Sequence, residues 1–294
     1  MKGQRTPATW MGAILGTLCA VLLMAGQGQA ENRSFTDEFH QTYALSSDGR
    51  VALENINGAA HISVWDRNEV KVDAVKYAGS KERLDDAQIR VDANSNYVSI
   101  RTEYRDHNLT FNNDDEGHNP ASVEYTLTVP RSARLDQIQL INGPLDIHGV
   151  AGEVRASCIN GRMTVQGLQG RVKLDSVNSR MEVQFDRLGN APVELSSVNG
   201  GIELTLPSDA KAEVEASTVS GSIEDDFGLH VNNHRWVGHD LRGELGSGGP
   251  RIELSNVNGR IEIRHANDGR TLSTVKDFSK PDRENDRDDD DDEI

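Results

Sequence analysis

The sequence predicts an all-β protein built as a parallel β-solenoid, because one short sequence motif recurs along the chain. The motif consists of Ile or Val, then Asn and Gly or a close substitute, then a run in which apolar and polar residues alternate. Its clearest copy spans Ser197 to Leu204. Successive copies lie 18, 18, 21, 21 and 38 residues apart. Such periods are typical of coils that stack on their neighbours. The corner residues are Asn142, Gly143, Asn160, Gly161, Asn178, Asn199, Gly200, Ser220, Gly221, Asn258 and Gly259, with an isolated early copy at Asn57 and Gly58.

Two alternating runs flank each corner. In the clearest copy, a period of two places Val193, Leu195, Ile202 and Leu204 on one face and glutamates on the other. Asn and Gly tolerate a positive φ, so they supply a sharp corner between the runs. Four inward apolar side chains cannot form a core alone, and each coil of about 18–21 residues must therefore stack.

An antiparallel β meander or sandwich is the alternative architecture. There, each Asn-Gly would be a two-residue hairpin turn. The same corner recurs in the same phase with the same inward positions, which favours equivalent parallel coils.

Residues 1–30 are typical of a secretory signal peptide. Lys2 and Arg5 precede an apolar stretch from Met11 to Ala25, and a small-x-small site ends just before Glu31. We therefore expect export to the periplasm or the cell surface, with an uncleaved anchor as the alternative.

The rest of the chain divides by its periodicity. Residues 31–130 form an N-terminal β section with alternating runs such as Val70 to Val75, and the charged segment Ser80 to Ala87 could form a short helical turn. Residues 131–266 carry the solenoid repeats. Residues 267–294 end in an acidic run, which predicts a disordered tail.

Charge and cysteine content limit the partners and the cross-links. The formal net charge of −16 argues against direct binding to nucleic acid or an anionic membrane, and favours cations or basic proteins. After removal of the signal segment, Cys158 is the one cysteine left, so no intramolecular disulfide can form. We expect Cys158 to be a small buried side chain at the entrance to a corner.

Three features together resemble a known family. They are the run Val123 to Pro130, the repeated Val-Asn-Gly units, and Gly243 to Gly249 before Ile252. Over roughly residues 45–265 the chain resembles the bacterial domain-of-unknown-function family called "putative adhesin". The resemblance implies an all-β, solenoid-like domain in the cell envelope, and it implies no catalytic residues.

Outward carboxylates are the candidates for catalysis, since some enzymes that cleave polysaccharides are β-helices with carboxylates converging on a groove. Because these acids recur at strand positions in most coils, we interpret them as a solvated strand face. The calcium-binding nonapeptide of exported solenoids is absent from the sequence, so we expect no metal and no cofactor. The acids are Glu182, Glu194, Glu203, Glu253 and Glu262.

A histidine-aromatic cluster is the candidate binding site. It comprises His230, His234, Trp236 and His239. The alternative is a loop that covers the end of the solenoid, with Trp236 as its plug.

These observations predict a non-enzymatic, exported cell-envelope protein, an adhesin-like binding or structural module that presents a rigid surface. The expected partner is an envelope protein or a cell-wall polymer, and self-association is a further option. Two alternatives stay open: an enzyme acting on envelope polysaccharide, and an envelope-stress sensor or regulatory accessory that uses the acidic tail.

Overall fold

A computed structural model describes residues 35–105, 120–234 and 238–278. The predicted signal peptide, Trp236 and the acidic run lie outside these ranges. Strands account for most of the described residues, and the single helix among them has six residues. No helix in these ranges is long and apolar enough to cross a membrane.

The elements follow one another in the chain in this order. They are β1 (Phe35–Ala44), β2 (Arg50–Asn57), β3 (Ala60–Trp65), β4 (Glu69–Ala78), α1 (Lys81–Asp86), β5 (Ala87–Asn94), β6 (Tyr97–Tyr104), β7 (Ser122–Pro130), β8 (Arg134–Asn142), β9 (Leu145–His148), β10 (Val154–Gln166), β11 (Val172–Gln184), β12 (Val193–Asn199), β13 (Ile202–Leu206), β14 (Ala212–Asp225), β15 (Val231–Asn233), β16 (His239–Leu245), β17 (Arg251–His265) and β18 (Val275–Asp277).

Each coil has one run of strand before the corner and one after it. In β10, β11, β14 and β17 the chain passes through the corner as one continuous strand. Neighbouring coils pair in parallel on both sides of the corner, so the predicted parallel β-solenoid is confirmed for the repeats. The stacking order is β6/β7, β2/β3, β8/β9, β10, β11, β12/β13, β17 and β14.

Chain order and stacking order differ at both ends of the stack. Strand β17, the last repeat in the chain, lies between β12/β13 and β14. At the other end, β2/β3 lies between β6/β7 and β8/β9. The N-terminal β section and the repeats therefore share one stack, and the early copy at Asn57 is an ordinary member of it.

Antiparallel strands cover the ends of the stack. Strand β5 pairs with β6, and β4 pairs with β7 and carries β1 on its other side. At the opposite end, β16 pairs with the first half of β14, and both β15 and β18 pair with β16. Strand β18 lies within residues 267–294, the predicted disordered tail, so part of that segment belongs to the fold. Its backbone hydrogen bonds satisfy the free edge of β16.

The core consists of columns of like side chains. Leu174, Leu195 and Leu254 occupy equivalent positions in three successive coils, and each is at most 1% exposed. Because stacked strands lie about 4.8 Å apart, equal side chains at equal positions pack in contact. Helix α1 forms where the sequence predicts a helical turn, with the Ser80 hydroxyl as its N-cap acceptor.

Candidate functional site

An asparagine ladder runs along the coil corners. Each Nδ2 donates to the Oδ1 of the Asn in the neighbouring coil, at 2.9 Å between Asn160 and Asn142 and 3.0 Å between Asn178 and Asn160. The hydrogen bond between Asn258 and Asn199 is longer, at 3.3 Å. These bonds hold the six corners that contain Asn in one register. The asparagine ladder comprises Asn57, Asn142, Asn160, Asn178, Asn199 and Asn258.

A glycine follows most ladder asparagines, because the backbones of neighbouring coils approach each other closely at this position. Gly259 has a φ of +145°, and a Cβ there would lie 2.1 Å from the carbonyl oxygen of Gly200 in the neighbouring coil. A side chain would therefore strain the backbone and force the coils apart. The buried Asn256 side chain strengthens this corner by donating to the same Gly200 oxygen at 2.8 Å.

An exposed aliphatic column lies beside the ladder, and we call it the aliphatic ridge. It consists of the residue that precedes the corner Asn or Ser in each coil. Their exposure runs from 38% for Ile141 and Val177 to 54% for Val219. Seven rungs at the spacing of stacked strands make a ridge roughly 29 Å long. In stacking order its members are Ile56, Ile141, Ile159, Val177, Val198, Val257 and Val219.

The ridge was not predicted from the sequence, although the alternation of residues in each strand indicates it. Val198 lies in phase with Glu194 and Ser196, which point outward, and Ser197 is the inward residue, 3% exposed. A period of two therefore places Val198 on the outer face. Apolar side chains repeated on an outer face mark contact surfaces more often than scattered exposed residues do.

Ion pairs cover the strand faces on both sides of the ridge. Lys173 Nζ lies 2.9 Å from a carboxylate oxygen of Glu194 in the next coil, and Arg180 lies 2.6 Å from Glu203. The hydrogen bond from Lys173 lowers the pKa of the Glu194 carboxyl below its ordinary value. The ridge is thus an uncharged strip between two faces whose charges largely compensate one another.

The five outward acids singled out in the sequence all belong to this network. Each acid is paired with a basic side chain on its own coil or on a neighbouring coil. The hydrogen bond from Arg264 likewise lowers the pKa of Glu262. The pairs are Glu182 with Arg180, Glu194 with Lys173, Glu203 with Arg180 and Arg264, Glu253 with Arg251, and Glu262 with Arg260 and Arg264.

The family model Toastrack DUF4097 matches residues 46–264. The chain belongs to the Toastrack DUF4097 family. This match confirms the resemblance drawn from the repeated corners, over nearly the same residues. No curated protein matches this Toastrack chain in sequence.

Three solved structures are similar to this Toastrack protein at low sequence identity. A "putative cell adhesion protein" from Clostridium sporogenes is 9% identical with a TM-score of 0.44, over 78% of this chain and 100% of that one. A "putative adhesin" from Bacteroides fragilis is 15% identical with a TM-score of 0.31, over 78% and 97%. A "putative lipid binding protein" from Parabacteroides distasonis is 9% identical with a TM-score of 0.27, over 79% and 97%.

The histidines of the Toastrack protein lie around a pair of strands, with His230 and His234 directly before and after β15 and His239 at the start of β16. Strands β15 and β16 pair antiparallel, and β16 covers the end of the stack. His234 contacts Asp240, His239 Nδ1 lies 2.6 Å from Asn233 Oδ1, and the backbone N–H of His230 donates to Asp277. Among the described residues, no group of three or more His, Cys, Asp or Glu is arranged to hold a metal.

Cys158 is buried at the entrance to a Toastrack corner. The Ser179 hydroxyl lies 3.5 Å from its sulfur. Burial raises the pKa of the thiol above its ordinary value, so the thiol stays protonated at neutral pH. This environment suits a small packing residue.

Proposed function

We propose that this Toastrack protein is a non-enzymatic binding module of the bacterial cell envelope and that it holds a partner protein on the aliphatic ridge. The observation that carries the proposal is the ridge itself, a continuous apolar strip exposed along seven coils. The residues before Glu31 support export, because they have the pattern of a secretory signal.

The chemistry of the ridge favours a protein over a polysaccharide. Sugar-binding surfaces commonly use aromatic platforms, whereas the ridge contains only Ile and Val and the whole chain has 5% aromatic residues. Aliphatic side chains with an adjacent row of amides suit an apolar strip on another protein, with polar groups at its margin.

The size of the ridge sets the expected affinity. Fully burying one Val or Ile side chain stabilises a complex by about 1.5–3 kcal/mol, and these side chains are already about half buried. Each would then contribute roughly 1 kcal/mol, and the seven together roughly 7 kcal/mol. Association itself costs about 4–15 kcal/mol. The ridge alone therefore supports weak binding, and a stable complex needs contacts on the flanking faces or several ridges acting together.

Retention of envelope proteins on the immobilised protein tests the proposal. The double variant Val177→Ser/Val198→Ser removes two central ridge side chains and should weaken retention about 30-fold. The matched control is Gln166→Ser/Thr205→Ser, which truncates two outward side chains on the other strand face and should retain the partner normally. Circular dichroism checks that both variants keep their strand content.

Salt dependence separates this proposal from its competitors. Binding through an uncharged ridge should persist as ionic strength rises, whereas binding through the acidic tail would fall because exposed charges are screened. Equal retention by the ridge variant and the wild type would refute the proposal. Shortening of isolated wall polymer by the protein would favour the enzyme hypothesis instead.

A further inference from the structure

Strand β1 is a long edge strand. It pairs along all ten residues with β4, and no other described strand pairs with it. Ten residues span roughly 34 Å. The strand contains no Lys, Pro or Gly, and its register to β4 has no bulge. It therefore lacks the Lys, Pro and bulge that often prevent an edge strand from pairing with another chain, although Asp37 and Glu38 place charge on it.

The inner face of β1 is incompletely covered by the described residues. Phe39 and Tyr43 pack against the core but stay partly exposed, and Phe35 is 42% exposed. These side chains lie at the end of the stack that β4 and β1 cover, where Phe39 and Ile89 line a cleft. A chain that extended the sheet beyond β1 could bury these aromatic rings.

The sequence of β1 is nearly symmetric about Phe39. Aromatic residues occupy the positions four before and four after it, and threonines the positions three before and three after. An acid directly precedes Phe39 and a histidine directly follows it. The matched positions are Phe35 with Tyr43, Thr36 with Thr42, Asp37 with Gln41, and Glu38 with His40.

We propose that a second copy of this chain pairs with β1, so that two β1 strands lie antiparallel across a two-fold axis at Phe39. Such an axis is perpendicular to the sheet, and residues on the same face must therefore meet. In this register Phe39 lies opposite Phe39, Phe35 opposite Tyr43, and Glu38 opposite His40 of the second copy. The aromatic pairs fall on the inner face and the Glu–His pairs on the outer face.

Neighbouring symmetric registers are less favourable. A shift of one step in one direction places Glu38 opposite Glu38 of the second copy, which sets like charges against each other. A shift in the other direction places His40 opposite His40 and pairs Asp37 with Tyr43. Only the register centred on Phe39 joins aromatic with aromatic and acid with histidine, and this selectivity favours a second copy over an unrelated strand.

This interface is independent of the proposed function. None of the ridge residues belongs to β1, so the dimer would carry two free ridges and could bind a repeated partner with higher avidity. Loss of ridge binding would leave the dimer intact, and loss of the dimer would leave one ridge per chain. The two proposals can therefore fail separately.

Cysteine cross-linking tests the register. Thr36 and Thr42 are exposed, and the proposed register places Thr36 of one copy opposite Thr42 of the other. Opposed residues have Cα atoms about 4.5–5.5 Å apart, within reach of a disulfide. Within one strand the two positions are roughly 20 Å apart. A mixture of Thr36→Cys and Thr42→Cys proteins should form a disulfide-linked dimer under mild oxidation, and neither protein alone should do so.

Sedimentation of charge variants tests the dimer itself. Thr36→Glu/Thr42→Glu places acids opposite each other twice and should weaken dimerisation about tenfold. The matched control Thr36→Lys/Thr42→Glu shares the Thr42→Glu change and should dimerise like the wild type. A monomeric wild-type protein, cross-links by either single variant alone, or equal dimerisation of the two double variants would overturn the proposal.

Discussion

Asn258 Nδ2 donates to Asn199 Oδ1 at 3.3 Å although 59 residues separate them. Ser220, only 21 residues after Asn199, lies on the far side of Asn258 in the stack. The chain therefore passes through β14 before it reaches β17, although β17 lies between β12/β13 and β14 in the stack. As a result, the last repeat in the sequence is an interior coil with a neighbour on each side.

The inserted coil makes the end of the repeat region indispensable. We expect a chain that ends at Gly249 to lose cooperative unfolding, because removal of β17 strips a partner from β12/β13 and from β14 at once. The control ends at Phe278 and keeps every described strand pair. Urea unfolding followed by circular dichroism makes the comparison, and equal stability of the two chains would contradict the inserted order.

The asparagine ladder should contribute measurably to stability. Asn178→Ala removes the bonds to both Asn160 and Asn199, and we expect it to lower the free energy of unfolding by about 1–2 kcal/mol. Gln166→Ala, an exposed change in β10 outside the ladder, should stay within about 0.5 kcal/mol of wild type. Urea midpoints of the two variants test this, and equal midpoints would mean that the ladder bonds merely replace bonds to water.

Two glycines close in space should differ sharply in their tolerance of alanine. Gly259→Ala should cost about 3 kcal/mol or more, because its φ is positive and the new Cβ would meet the Gly200 oxygen at 2.1 Å. Gly201→Ala should be tolerated, because the nearest atom to its Cβ is an Arg260 oxygen at 3.6 Å. Thermal unfolding ranks the two variants, and a tolerated Gly259→Ala would show that the coils can separate easily.

Alkaline pH should destabilise the protein through Tyr104. Burial raises the pKa of its hydroxyl to about 12 from an ordinary value of 10.0, and the hydroxyl donates to the Ala121 oxygen at 2.7 Å. Since the unfolded state releases this proton first, the contribution of Tyr104 to stability is full below about pH 10 and is lost as the pH rises toward 12.

Substitution by phenylalanine isolates this contribution. Tyr104→Phe should cost about 1 kcal/mol at neutral pH, because the Ala121 oxygen loses its donor, and it should flatten the fall of stability at alkaline pH. The exposed Tyr77→Phe variant serves as the control and should keep the wild-type slope. Urea unfolding at several alkaline pH values gives the slopes, and an unchanged slope in Tyr104→Phe would assign the effect to other groups.

The candidate surface was only partly predictable from the sequence. The position of Val198 before Asn199 is in the outward phase, so the ridge could have been found from alternation alone. The sequence analysis instead singled out the histidines, which the structure distributes over a hairpin that covers the end of the stack. Apolar residues next to a corner resemble core residues unless their phase is followed through the whole strand.

The sequence by itself determined the coil, its corner and the direction of each side chain. These are local properties, because a period of two fixes the inward face and the Asn-Gly pair permits the sharp turn. The tertiary structure alone decided the order of the coils. Nearly identical coils can stack on one another in any order, so the corner at Asn258 fits beside Asn199 as well as beside Ser220. The order depends on which strands cover the ends, and that is settled by long-range packing of β16 on β14 and of β4 on β7.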